Sequence, residues 1–466
     1  MSTLVLREAE VDGARVDVRV EGAQITAVGP PRSATGAGAG ADVEIDCGGA
    51  ALLPGLHDHH LHLFAMAAAM DSVDVAHDLD AVVRAAHAAA PPDVGIRAVN
   101  YDEGHEGPLD RWRLDALAPG RAVRVQHRSG ALWVLSTTAL EEAEAFSAME
   151  AGLERDHRGR PTGRLFRLDD WLGQRTPRTG APNLAAVGRR LASFGVTGVT
   201  DCTPTVTTDY FEAIAAAVRS GELPLGVSTT GGVELSDVVP PAPLRRGPVK
   251  VVIADHALPA LDELIEQFGR AHEAGRAVAV HCVTRSALLL ALAAWQEVGS
   301  RPGDRVEHAS VVPPEVIATL AGLSLTVVTQ PAFVAARGDV YLSEVDPIDR
   351  PDLYRCGSLI DGGVVVGGST DAPFGPDDPW VAVRAAVERR AASGAPVGSD
   401  RGLEPGAAVR LFLGTPEQPG GPIRRIGPGR AADLCLLDVP LRTALLDASS
   451  RHVALTIAAG NCTFTA

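Results

Sequence analysis

Apolar and polar positions follow three rhythms along this chain. Over residues 3–50 they alternate. Thr3–Val11, Ala14–Val20, Gln24–Val28 and Val43–Cys47 carry the two-residue period of half-buried strands, separated by turn residues and a Gly-, Pro- and Ala-rich loop, Gly29–Ala41. Beyond residue 50 short continuous runs of Val, Ala and Leu take over: Ala51–Leu56, Val196–Asp201, Leu223–Thr229, Val249–Ala254, Ala277–His281, Arg305–His308, Leu325–Gln330 and Val364–Asp371. Strands covered on both faces read this way, because neither face needs to be polar. Segments with helical spacing fill the gaps, among them Ala260–Glu273, Ser286–Val298, Pro314–Ala321 and Pro379–Ala392. Eight strand–helix units in succession predict an α/β fold, a (β/α)8 TIM barrel.

Towards the C-terminus the strand texture returns, in Ala432–Leu437 after the Gly427-Pro428-Gly429 turn and in Val453–Ala458. The two β-rich ends predict a small composite β-sandwich, residues 1–50 plus 405–466, flanking a barrel over 51–404. Spacing between the first and second runs is far too long for one crossover. Residues 65–195 therefore read as an insertion with structure of its own, and an insertion at the C-terminal face of a barrel is expected to shape the substrate pocket. Residues 393–401 form a second compositionally loose stretch.

Composition narrows the class. Aromatic residues make up only 4% of the 466 residues, so aliphatic side chains must fill the core. The formal net charge of −16 argues against a nucleic-acid partner, which needs a concentrated positive field, and gives no support for a membrane surface. No stretch of roughly 20 apolar residues predicts a span. The start, Met1-Ser2-Thr3-Leu4-Val5-Leu6-Arg7, lacks a secretion leader, and six scattered cysteines without CxxC spacing read as reduced thiols. A soluble cytoplasmic protein is expected.

Chemistry concentrates where the runs end. Pro54-Gly55-Leu56-His57-Asp58-His59-His60-Leu61-His62 holds four histidines in six residues. In extended backbone, residues two apart point the same way, so His60 and His62 can address one metal ion; His57 and His59 form a second such pair, and spacing does not choose between them. Further runs end in His281, His308 and Asp371. Lys250 is the only lysine, set inside the apolar Pro248–Ala254 segment, while every other basic side chain is arginine. Arginine cannot replace lysine where the amine must lose its proton and react, for example with carbon dioxide to form a carbamate. A barrel gathers these strand ends at one face. Imidazoles with carboxylates suit zinc first, with manganese, iron or cobalt as alternatives. Two ions bridged by a Lys250 carbamate would take His60, His62 and Asp371 on one side, and His281 and His308 on the other. Water held between them would supply hydroxide at neutral pH.

With those residues in view, the chain resembles the metal-dependent amidohydrolase superfamily, in the branch of N-substituted formamide deformylases (amidohydrolase family 3). The 54–62 segment is similar to the PGxxDxHxH signature, and that resemblance selects His60 and His62 over His57 and His59. Gly195–Asp201 resembles a GVTxVTD strand, Lys250 falls where a carboxylated lysine is found, and Gly427–Leu434 looks like a PGxxADL element. Two places depart from the pattern. Arg128-Ser129-Gly130 is followed by Ala131 where relatives often have histidine, and His281-Cys282-Val283-Thr284-Arg285 stands where others have His-x-x-Gly-Asp.

The resemblance implies hydrolysis of a non-peptide carbon–nitrogen bond, in an amide or cyclic amide of a small-molecule substrate. Metal-bound hydroxide would attack, with Asp371 as general base and acid. His127, Arg128 and His256 are candidate substrate contacts, and Asp201 is either pocket-lining or in a solvated loop. Homodimers are common among similar proteins. The alternatives are a mononuclear hydrolase or deaminase of the same superfamily with an unmodified Lys250, and a non-catalytic barrel scaffold.

Overall fold

The computed structural model describes residues 3–31, 41–91, 93–176 and 183–466. Most of the loose Gly29–Ala41 loop lies outside them. The chain divides into two compact units, Met1–Leu63 with Ala185–Ala466, and Phe64–Leu184.

Two arcs of parallel strands run through the first unit. One sets Leu56–Leu61, Val196–Asp201, Gly226–Thr229 and Arg245–Arg246 side by side; the other sets Val249–Val252, Val278–Cys282, Arg305–His308, Thr326–Thr329 and Val365–Gly368. Each strand pairs with the next in chain order. Helices Thr208–Ser220, Leu261–Glu273, Arg285–Val298 and Cys356–Asp361 make the crossovers. Backbone hydrogen bonds also run from one arc to the other: Lys250 N donates to Gly231 O (3.0 Å), Asp371 N to His60 O (2.8 Å) and His62 N to Ala372 O (2.9 Å).

The first apolar run is not one strand. It breaks at Gly55: Leu52–Pro54 pairs antiparallel with Leu434–Leu436, whereas Leu56–Leu61 joins the parallel arc. Gly55 permits the handover because a Cβ there would overlap the Thr197 side chain. His57, His59 and His60 therefore lie within the strand, and His62 directly follows it. The strand expected from Leu223 begins at Gly226, since Pro224 has no amide hydrogen to give a ladder. Helix Pro379–Glu388 stops short of Ala392 because Arg389 turns left-handed (φ 51°) and its guanidinium is held by the carbonyls of Leu353, Tyr354 and Val397.

Two further four-stranded sheets use the ends of the chain. One has the order Gln24–Gly29, Ala14–Glu21, Thr3–Val11, Val43–Asp46; the other Asn461–Thr465, Val453–Ala458, Leu434–Leu437, Leu52–Pro54. Leu6, Val18, Ile25, Leu52, Leu434 and Ile457 pack in one buried cluster drawn from both. The six cysteines are free thiols.

The second unit has its own six-stranded sheet, in the order Leu153–Arg155, Pro161–Phe166, Leu132–Leu135, Val123–His127, Ile96–Tyr101, Val73–Asp74. Helices Leu79–Ala89 and Arg111–Leu117 contribute Leu79, Val83 and Leu114 to a core with Tyr101, Val123 and Val125. Among the described residues, no helix is long and apolar enough to cross a membrane.

Candidate metal centre

Five of the six expected ligands meet where the parallel strands end. His60 is the penultimate residue of the strand Leu56–Leu61 and His62 directly follows it, His281 is the fourth residue of Val278–Cys282, His308 ends Arg305–His308, and Asp371 follows Val365–Gly368. Asp371 Oδ1 lies 3.1 Å from His62 Nε2 and 3.6 Å from His60 Nε2, and Oδ2 is 3.9 Å from His308 Nδ1. The His60 and His308 rings are 4.8 Å apart, and those of His281 and His308 4.4 Å. Ligand atoms of His60, His62 and Asp371 all fall within 4.8 Å of one another, close enough to hold one ion.

Lys250 enters from a lower level. It lies inside its strand, as the second residue of Val249–Val252, paired with Ala279, while His281 pairs with Val252. That is a drop of two residues, about 6.6 Å at 3.3 Å per residue. A lysine side chain spans such a gap. Its amine is buried, with no hydrogen-bond partner, and its charge depresses the pKa values of both His60 and His308.

Backbone shape contributes to the aim of the side chains. His308 (φ 69°) and Asp371 (φ 56°) both occupy the left-handed region that non-glycine residues seldom adopt. Such strain collects where surrounding structure fixes a side chain for function.

Electrostatics favours neutral imidazoles. Burial, then the charges of Lys250 and His62, hold His60 well below the usual histidine range; burial and then His281 do the same to His308. A neutral ring offers one lone pair, and the partner of the other nitrogen decides which. His308 Nδ1 lies 3.0 Å from Gln330 Oε1, and Gln330 is itself fixed by donation to Ser369 (2.9 Å). His62 Nδ1 is 3.4 Å from the Thr203 hydroxyl. Asp58 accepts from His60 N (3.1 Å), Thr370 N (3.2 Å) and the Thr370 hydroxyl (2.5 Å), tying the histidine strand to the segment that carries Asp371. Burial nevertheless pushes the Asp58 carboxyl up to about 7.

Three buried nitrogens at this spot, His60 Nε2, His308 Nε2 and Lys250 Nζ, have no hydrogen-bond partner. Burying polar groups without partners costs roughly 1–3 kcal/mol each, which makes three together hard to sustain unless something binds them. Two imidazole nitrogens, an amine open to carboxylation and an adjacent carboxylate are a donor set that fits divalent metal.

The other expected site residues lie elsewhere. His256 is exposed in the Ala254–Ala257 turn after the lysine strand. His127 and Arg128 belong to the second unit, where Arg128 pairs with Asp102 at 2.7 Å and His127 Nδ1 lies 2.8 Å from the Ser129 hydroxyl. Asp201 is fully buried and accepts from Leu63 N, Thr203 N and Tyr210 Oη, a structural role and not a solvated loop. At the unusual His281–Arg285 stretch, Thr284 caps the following helix, and Arg285 pairs with Asp349 (2.6 Å) and Asp352 (2.7 Å).

Sequence reasoning passed over Glu307, Gln330 and Phe374. The carboxylate of Glu307 lies 2.5 Å from His60 Nδ1, and the Phe374 ring packs edge-on at 5.4 Å from that of His62. A signal for Glu307 existed: Arg305 and Glu307 are opposite charges two apart in an otherwise buried strand.

A model of the amidohydrolase family matches residues 43–464, almost the whole chain. The chain belongs to the amidohydrolase family. It is a hydrolase of carbon–nitrogen bonds. This amidohydrolase is 25% identical to the N-substituted formamide deformylase of Arthrobacter pascens, across 90% of this chain and 89% of the relative. Its fold is shared by a metal-dependent hydrolase of Pyrococcus horikoshii OT3 (TM-score 0.77, 20% identity, 94% of this chain and 97% of the other). A second such hydrolase, from Pyrococcus furiosus, aligns with a TM-score of 0.73 at 20% identity over 94% of this chain and 99% of the other.

Proposed function

We propose that this amidohydrolase cleaves the amide or cyclic amide bond of a small molecule at a two-metal centre held by His60, His62, Lys250 as its carbamate, His281, His308 and Asp371. The observation that carries this reading is the trio of buried nitrogens without partners, together with a carboxylate, Asp371, that lies 3.1 Å from His62 Nε2, 3.6 Å from His60 Nε2 and 3.9 Å from His308 Nδ1. Carboxylation suits Lys250 electrostatically. As an ammonium it opposes any cation beside His60 and His308; as a carbamate it attracts one. Divalent metal bound there would polarise the substrate carbonyl and acidify water, with zinc the best match to the donors.

The chain's own residues do the rest. His60 and His308, kept neutral by burial, present lone pairs and not protons. Among the described residues, Asp371 is the carboxylate that lies within 4 Å of three of the ligand imidazoles, so it is the group positioned to accept a proton from the attacking water and return it to the leaving nitrogen. Similarity to a formamide deformylase supports formamides as the first substrates to try.

We also read the two parallel arcs as one closed (β/α)8 barrel and the two terminal sheets as one composite sandwich. The hydrogen bonds between the arcs support the first reading, and the shared apolar cluster the second. Metal analysis of the purified protein, with intact-mass measurement of the Lys250 peptide under native carboxylating conditions, tests the centre. Two ions per chain and a carbamate are expected. One ion with a bare amine would establish the mononuclear alternative, and no ion at all would end the proposal. A panel of formamides, acyl amides, hydantoins and lactams then sorts the substrate class.

A further inference from the structure

Beside the proposed metal ligands lies a buried charge pair, Glu307 and Arg305, that the reaction itself does not use. Glu307 is adjacent to His281 in the strand ladder and points to the same side, because neighbours in register share a face. Its Oε2 is hydrogen-bonded with His60 Nδ1 at 2.5 Å, and Oε1 meets the guanidinium of Arg305 as an ion pair, 2.6 Å from Nε but without hydrogen-bond geometry. Arg305 in turn directs Nη2 at the thiol of Cys202, 3.6 Å away. None of these side chains is more than 2% exposed, in a region where ionised groups are hard to keep.

His60, Cys202 and Glu307 also lie close enough together to hold an ion of their own. The guanidinium argues against that use. Arg305 is a permanent cation touching two of the three candidate donors, so a dication placed there would meet it at close range in a low-dielectric interior. What remains is a carboxylate whose only free choice is to accept the Nδ1 proton of His60. That acceptance leaves the lone pair on Nε2, the nitrogen that is buried without a partner and faces Asp371.

We infer that Glu307, neutralised by Arg305, is a positioning residue that fixes the tautomer and orientation of His60 for metal binding. The inference rests on the metal centre proposed above. Carboxylates behind metal-bound histidines raise ligand basicity, and their loss weakens metal binding about ten- to a hundredfold.

The test compares wild type, His60→Ala and Glu307→Gln, each stripped by chelation and titrated with Zn2+ against a competing chelator. Nitrogen-15 spectra of the histidines in the metal-free wild type provide a second readout. We expect Glu307→Gln to bind the same number of ions as wild type but about ten- to a hundredfold more weakly, and His60 to be in its Nδ1–H form. Unchanged affinity in Glu307→Gln would overturn the inference while leaving the metal centre intact, provided His60→Ala loses an ion. An ion lost outright from Glu307→Gln would instead make Glu307 a ligand. If the wild type binds no Zn2+, it is the metal centre that fails. Should Glu307→Gln not fold, the spectrum decides: an Nε2–H form of His60 refutes the assignment, and an Nδ1–H form upholds it.

Discussion

Asp371 and His308 hold backbone angles that cost an ordinary residue about 1–2 kcal/mol, and the fold bears that cost at the last residue of one strand and three residues beyond the end of another. Asparagine tolerates the same angles, so Asp371→Asn isolates the carboxylate from the backbone. We expect kcat/KM to fall about 10²- to 10⁴-fold with thermal stability nearly unchanged. Retention of more than a tenth of the activity would remove Asp371 from proton transfer. Lys250→Arg is the companion experiment. Guanidinium keeps the positive charge but cannot form a carbamate at neutral pH, so the variant should lose at least one ion and its activity, as metal analysis would record. Lys250 was conspicuous in the sequence because it had no lysine competitors. Glu307 was not, since the partner that gives it meaning, His60, is 247 positions away and no local pattern links them.

Among the elements, parallel strands were the most legible, because burial on both faces writes them as unbroken aliphatic runs. Their ends were less so. Nothing in Ala51–Leu56 announces that the run serves two sheets; the switch depends on Gly55 meeting Thr197, a contact made only after folding. Gly55→Ala should therefore destabilise by more than about 2 kcal/mol, as expected for overpacking, and reduce bound metal. Combining it with Thr197→Ala should restore part of both, measured by urea unfolding and metal content; no recovery would mean that the overlap is not the cause. Crossover helices Leu261–Glu273 and Arg285–Val298 were legible from their spacing, and Phe268 against Trp295 (ring centroids 4.9 Å) joins them. Beneath them a single buried carboxylate, Asp304, accepts from Val278 N, Trp295 Nε1 and Arg301 N and contacts His272. That junction was invisible beforehand, because it draws on a strand, a helix, a loop and a second helix at once.

At the scale of the whole molecule, burial makes stability depend on pH. His57, His59, His60 and His308 are all held well below the ordinary histidine range, chiefly by desolvation. Unfolding returns them to about 6.5, so below that pH the unfolded chain binds more protons. Stability is full above about pH 6.5 and declines as pH falls, by about 1.4 kcal/mol per pH unit for each proton taken up. Asp58, raised to about 7, opposes this, since the folded chain keeps a proton that the unfolded carboxyl would release. Urea unfolding of metal-free protein at decreasing pH should show a net uptake of about three protons by pH 5.5. His59→Gln should lower the uptake by one. A flat profile would contradict the burial of these imidazoles.

The joint at Gly55 has a consequence for the far end of the chain. Leu434–Leu436 anchors Leu52–Pro54, and from there only a few residues lead to His60 and His62, leaving little slack between these C-terminal strands and the first two candidate ligands. Trimming the tail, or loosening it at Leu436 or Leu455, should therefore weaken metal binding at the proposed centre through substitutions that never approach it. Disabling changes in this protein need not lie near the chemistry they abolish.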